Sequence, residues 1–516
     1  MAPPREVRGS RIHAAAFIAV FTVAACGGEK PAASAGGGAR SPALGAEVIA
    51  SLRTEGAEAD ALGAVRGPVD PPAVGTYPAA PGRVEGWINN QQVDSIRAHG
   101  WDVWASITSP SGQGRLPVWE TWYSGHEVYD ERISLLAATA GRKATRDFER
   151  PQQFHHVARM GGLRAGHVPN DRAERITSFN RYTRALADYV WSQHYNDAAV
   201  LNAINARFDS ASTPVAQRTI SLSADSVNPA EIALKPVFQF IAGDSATVIP
   251  FWAGDNATAS TDSANPTPDS WKQGVVVDPT GTLKPGTRVL RSVNGQPADS
   301  LLVVPLSTFY HIRLTAADSA NFSQFAETSG DDVGQGNKGD SADVAAMVRP
   351  GNIALLVAMH VTTKEISNWT WQTFWWSPDA GDTTRAVGRP ASVKGVWRNY
   401  LMNVAYYMVT PPTSSTGTPN IAYNPYLETN LSGTFTNDAG QTVNWTGVTS
   451  NCMTCHRMAT WGVLKRDSTS QGPSGAPYEN NGQVNPGDPV FAGYTKLDFL
   501  WSVTRAQFRG TKTAGR

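Results

Sequence analysis

The sequence predicts an α+β fold with a helical N-terminal part, a β-rich middle and an irregular, partly helical C-terminal segment. Three observations carry this. Apolar residues recur at three- and four-residue steps in 84–108 and 171–206. From about 218 to 376 they gather instead into short runs bounded by Gly, Pro, Asn and Asp. With 34 Pro and 47 Gly in 516 residues, short elements and many turns are favoured over a long helical bundle.

Taken in order, residues 1–13 carry Arg5, Arg8 and Arg11, and 14–25 form an apolar run too short to span a bilayer. That pattern fits a signal peptide over 1–25. The run ends Val23-Ala24-Ala25-Cys26-Gly27-Gly28, which resembles the lipobox of bacterial lipoproteins. The resemblance implies cleavage before Cys26 and lipidation of its thiol; the plainer reading is an ordinary signal peptide cleaved after Ala25. Gly27 and Gly28 lack the Asp that, by the same resemblance, marks inner-membrane retention, so the outer membrane is favoured. Residues 26–83 read as a tether and linker: a Gly/Ala/Pro-rich leash to 44, a weak Ala-rich helix over 45–65, then Pro68, Pro71, Pro72, Pro78 and Pro81.

Residues 84–216 read as mainly helical. Helices are expected at 84–108 and at 171–206, the latter capped by Asp171, with Val118–Tyr123 alternating as a strand would. Residues 217–378 read as β-rich, with strands expected at Thr219–Leu222, Ile232–Phe238, Thr247–Trp252, Gly274–Val277, Arg288–Val293, Leu301–Val304 and Phe309–Leu314. After a Gly/Asp-rich loop at 329–340 come the buried-strand run Ile353–Val361 and the tryptophan-rich Trp369–Trp376. In 379–516 the chain reads as helical or irregular, with Val396–Val409 buried, a loop over Pro411–Pro419 and a short amphipathic helix over Lys496–Phe508. No repeat of fixed period supports a propeller or solenoid.

Composition excludes several functions. The 44 basic and 44 acidic residues leave no basic excess, so no nucleic-acid partner is expected. No serine nucleophile elbow, phosphate loop or His-Glu-x-x-His motif occurs. No further run reaches the ~18 apolar residues of a membrane span.

The informative stretch is Cys452-Met453-Thr454-Cys455-His456. Cys-x-x-Cys-His is the attachment signature of a c-type haem. Two thiols two residues apart reach the two vinyl groups of one haem as thioethers, and the following histidine serves as proximal iron ligand. A disulfide is the plainer alternative. Zinc commonly takes two such pairs, and the chain has one other cysteine, Cys26. One haem c at Cys452, Cys455 and His456 is therefore expected, and 379–516 is the haem-binding region.

In the commonest small cytochromes c the second ligand follows the motif. Here no Met or His follows Met458, so a distal ligand must come from upstream and the simple small cytochrome c domain is not expected. His360, at the end of the apolar run Leu355–Met359, is the first candidate. Met359 would face the other way on a strand. His311, His155, His156, Met402 and Met408 are further candidates, as is an open sixth site. Arg457 or Arg398 suits haem propionates, and Trp461 is placed against the porphyrin or its packing shell.

The runs Met359-His360-Val361 with Lys364, Trp369, Trp371, Thr373 and Phe374, then Leu427-Glu428-Thr429, Lys496-Leu497-Asp498-Phe499 and Pro117–Tyr123, resemble stretches of a family of exported bacterial monohaem cytochrome c proteins. Trp375-Trp376 after Phe374 departs from that pattern. The resemblance implies a cytochrome without naming a substrate. Three functions stay open: an electron carrier exchanging with a redox partner protein or a small donor or acceptor, a haem oxidoreductase with an open distal site, and a haem-containing binding or sensor lipoprotein.

Overall fold

The computed structural model describes residues 46–129, 144–148, 176–254, 260–261, 266, 268–320, 347–412, 414, 417–429, 432–436, 442–462 and 483–508. The signal and leash stretches, Cys26, His155, His156, Asp171 and the 329–340 loop lie outside them.

The described chain opens with α1 (Ala46–Ser51), β1 (Glu58–Ala59), α2 (Arg83–Asn89) and α3 (Val93–Ile107). Next come β2 (Tyr123–Ser124), α4 (Gly125–Tyr129), β3 (Ile176–Ser178), β4 (Arg181–Tyr182), α5 (Arg184–Ser192) and α6 (Ala198–Ser210). The middle holds β5 (Asn228–Ile241), β6 (Thr247–Pro250), β7 (Gly274–Val277), β8 (Arg288–Arg291), β9 (Asp299–Val304), β10 (His311–Arg313), β11 (Ile353–Lys364) and β12 (Thr370–Trp376). After it come β13 (Tyr400–Ala405), β14 (Val409–Thr410), β15 (Thr418–Pro419), β16 (Ser432–Thr436), β17 (Thr442–Thr446), α7 (Cys452–Arg457), β18 (Thr460–Trp461) and β19 (Thr495–Lys496). The class is mixed α+β, as read.

Among the described residues one nine-stranded sheet dominates. β11 is its axis, with β5 along one side and β10 and then β12 along the other; β13 extends β12, while β3 and β4 share the far side of β5. A buried central strand needs apolar, branched side chains on both faces. Ile353–Met359 supplies apolar side chains, and all twelve residues of β11 are buried. Pro236, which has no N–H for a ladder, falls between the stretches of β5 covered by β3 and β4. A separate four-stranded sheet runs β6-β7-β9-β8.

Several expectations are corrected. Ile176, Phe179 and Tyr182 suggest a helix face by their spacing of three, yet they sit on and between β3 and β4. The edge of β5 offers ladder partners there, Ile176 opposite Gln239 and Tyr182 opposite Ala233, and tertiary pairing overrides local pattern. Val118–Thr121 is a 3-10 turn, and so is Trp501–Arg505 in the expected end helix. Tyr400–Ala405 is a strand paired to β12 rather than a helical or irregular stretch. Residues 46–83 do not form a linker: Leu52, Val65 and Tyr77 are buried in the main core, and β1 pairs in parallel with β10. The described residues belong to one compact unit.

The two faces of the β11–β12–β13 part differ. In register, Met359, Phe374 and Met402 form one cross-strand row, and His360, Thr373 and Asn403 form the next, on the opposite face. α3 covers the apolar row. Trp104 stacks on Phe374 with ring centroids 4.1 Å apart, and Trp101 approaches the same ring at 5.7 Å. Gly100 permits this approach, since a Cβ there would lie 2.9 Å from Val404 Cγ1. Phe374→Ala, which empties the centre of this contact, is expected to cost about 3–5 kcal/mol in a urea titration. A loss under about 1 kcal/mol would show that α3 does not pack here. The polar row is left for the C-terminal segment.

Candidate functional site

The cysteine motif is held by its own cap. Asn451 precedes α7, and its side chain accepts from the backbone N–H groups of Met453 and Thr454, satisfying the donors a helix start leaves open. Its Nδ2 donates to the carbonyls of Asn420 (2.6 Å) and Tyr407 (3.2 Å). Cys452 N bonds Ala422 O at 3.1 Å, and the Cys452 thiol donates to that same carbonyl at 3.1 Å. The short helix is thereby fixed to residues 420–422, and both cysteines fall in its first turn. No disulfide joins Cys452 and Cys455. Burial, followed by the charge of Glu428, raises the Cys452 thiol well above its ordinary value.

His456 is oriented from two sides. Its Nδ1 lies 2.8 Å from the Phe499 carbonyl, which can only accept. Nδ1 therefore carries the proton, and Nε2 presents its lone pair. The Trp371 ring lies against the imidazole, centroids 4.1 Å apart. Burial pushes His456 down to about 3; the Phe499 carbonyl opposes this, and the charges of His360 and Lys235 add to it.

His360 enters from the polar face of β11. Its Nε2 donates to Glu428 Oε1 at 2.7 Å, and Nδ1 is buried with no hydrogen-bond partner among the described residues. Glu428 is 4% exposed. Its other oxygen accepts from Asn424 N at 2.5 Å, while Asn424 Nδ2 donates to Thr373 Oγ1 (2.7 Å) and Phe374 O (3.0 Å). The 424–428 turn is thus tied to β12 and to His360 together. Gly447 lets a second segment pass over this turn: a Cβ there would meet the Glu428 carbonyl at 1.6 Å.

The structure brings His360 within electrostatic reach of His456, and Glu428 within reach of Cys452. Of the other distal candidates within the described residues, Met359, Met402 and His311 are placed elsewhere, while Met408 shares a core with the motif. Met359 and Met402 lie on the face under α3. His311 sits on β10, its Nδ1 against the Phe309 carbonyl at 2.9 Å. Met408 is buried in the core that also holds Cys452 and Met453. Arg398 donates to the Pro390 and Val393 carbonyls, away from the motif. Arg457 stays beside it, bonded to Asn368 Oδ1 at 3.1 Å and over the Phe499 ring at 5.0 Å. Trp461 packs into the core, its Nε1 donating to Asn202 Oδ1 at 2.9 Å.

The donor chemistry fits a haem: two thiols in one helical turn, one imidazole with its outer nitrogen engaged, and a second with an unpartnered buried nitrogen. Among the described residues no group of three or more His, Cys, Asp or Glu side chains is arranged to hold a metal ion by itself. Three participants escaped the sequence reading: the Glu428 carboxylate, the Phe499 carbonyl and the Trp371 ring. The short runs 427–429, 496–499 and 369–374 were visible, but not their convergence on the motif.

No family model matches the chain, and no curated protein or solved structure matches it. Among the described residues no helix is long and apolar enough to cross a membrane.

Proposed function

We propose that this chain is an exported monohaem c-type cytochrome, tethered by lipid at Cys26, that transfers single electrons between redox partners. The haem c would be bound covalently at Cys452 and Cys455, with His456 as proximal and His360 as distal ligand. The observation that carries this reading is the disposition of His456. It follows the two thiols in α7, its Nδ1 is committed to a carbonyl, and its Nε2 is left as a lone pair. When bound, the haem supplies a one-electron iron couple. The protein's part is to hold both imidazoles oriented, His456 by Phe499 and Trp371, His360 by Glu428. Two nitrogen ligands held this way disfavour small-molecule binding at the iron, which suits an electron carrier over an oxidoreductase. Outer-membrane tethering and a protein or small-molecule partner belong to the same proposal.

The test is the absorption spectrum of the dithionite-reduced protein before and after carbon monoxide. A c-type spectrum that carbon monoxide leaves unchanged is expected for the wild type, and one that shifts is expected for His360→Ala. A shift in the wild type would favour an open distal site and an oxidoreductase. Absence of covalent haem would return Cys452 and Cys455 to a dithiol or disulfide role.

A further inference from the structure

Asp498 (φ 47°) and Phe499 (φ 69°) are consecutive residues in left-handed backbone. Residues with side chains hold that conformation only where their surroundings impose it, and such strain gathers at functional positions. Here the surroundings are specific. Both carboxylate oxygens of Asp498 accept from Lys364 Nζ at 2.8 Å, and Oδ2 also accepts from Leu222 N at 2.8 Å. The side chains of Lys364 and Asp498 are 2% and 9% exposed. Lys364 donates further to Ser367 O at 2.9 Å and lies 4.9 Å from the centre of the Trp369 ring. On the near side, Leu497 N bonds Ala459 O at 2.9 Å. The product of this turn is one backbone carbonyl, that of Phe499, aimed at His456 Nδ1. An extended backbone at 498–499 would point it elsewhere.

We infer that Asp498, held by Lys364, is a positioning residue that keeps the Phe499 carbonyl on His456 and so sets how strongly that imidazole donates to iron. The inference rests on reading His456 as the proximal haem ligand. A histidine that gives its outer N–H to a good acceptor becomes a more basic ligand, and the more basic ligand stabilises the oxidised iron. The arrangement also links the two sides of the site. Lys364 lies on β11 four residues beyond His360, past an irregularity in the pairing with β5, and reaches Asp498 beside Phe499. One strand thus carries His360 itself and, through Asp498, the support of His456.

The test compares wild-type holoprotein with Asp498→Asn, Asp498→Ala and Lys364→Met by potentiometry, haem content and thermal melting. Asparagine retains an acceptor for Leu222 N and nearly the original volume, so it guards against simple failure to fold. A midpoint potential moved positive in Asp498→Asn, and further in Asp498→Ala, at unchanged haem content per protein, is the expected result. A lowered melting temperature with the potential and the His456 Nδ1–H proton resonance at their wild-type values would overturn the inference and leave the cytochrome reading intact. Wild-type protein lacking covalent haem would overturn that reading, and the inference with it.

Discussion

Replacing Cys452 and Cys455 together with alanine is expected to abolish covalent pigment while leaving the fold in place. On the proposed reading two thioether bonds would hold the haem, and each single variant removes one of them. The order of effect follows: full attachment in the wild type, partial in either single variant, none in the double. Pyridine haemochrome spectra and extraction with acidified acetone read this directly, because haem held only by histidines leaves with the solvent. The scaffold around the motif has supports besides the sulfur atoms. α7 is capped by Asn451 and tied through Cys452 N to Ala422 O, neither of which changes. Circular dichroism of the double variant should therefore match that of the wild type. Pigment that stays with the double variant after extraction would remove the motif from the function altogether.

The second large effect is expected far from the motif. Arg146 is fully buried, with Nε 3.1 Å from Glu120 Oε1 and one terminal nitrogen 3.3 Å from Asp318 Oδ1. Another bond runs to the Asp60 carbonyl, and Tyr310 donates its hydroxyl to Glu120 Oε2 at 2.7 Å. Arg146→Ala leaves two carboxylates buried without their cation. Breaking such a pair costs about 3–5 kcal/mol, whereas replacing all its members by neutral groups of like size is often nearly neutral. The triple variant Arg146→Met, Glu120→Gln, Asp318→Asn is therefore expected to recover much of the loss in urea. Equal stability of Arg146→Ala and wild type would show that the cluster is hydrated rather than dry.

What the sequence disclosed, and what it withheld, divides by range. β11 was legible because a strand buried on both faces must be largely apolar, and Ile353–Met359 meets that condition without reference to any partner. α3 was legible for the same local reason, its tryptophans falling on one face. β3 and β4 were not: their identity depends on β5, some sixty residues later, and the spacing of Ile176, Phe179 and Tyr182 serves a helix as well as a strand–turn–strand. Tyr400–Ala405 was hidden likewise, since its ladder to β12 is not written in its own residues. The site divides the same way. Cys452, Cys455 and His456 announce themselves by spacing. Glu428 does not, because a lone glutamate acquires meaning only from the histidine 68 positions earlier that donates to it. A backbone carbonyl such as that of Phe499 has no sequence signature at all; the left-handed turn that aims it is visible only in the folded chain.

The pairing of β1 with β10 has a consequence in time. Glu58 lies beside His311, so the edge of the sheet stays open until more than half the chain has been made, and contacts this distant in sequence form slowly. The motif waits longer still. Its supports come from β11 and β12 before it and from 497–499 after it, and the last of these is close to the end of the described residues. Once they close, Cys452 is 3% exposed. Any chemistry performed on that thiol by another molecule must reach it before the segments packed around it close. On the proposed reading, haem attachment is therefore set against folding, and the strained turn at 498–499 is the last of these supports in the sequence.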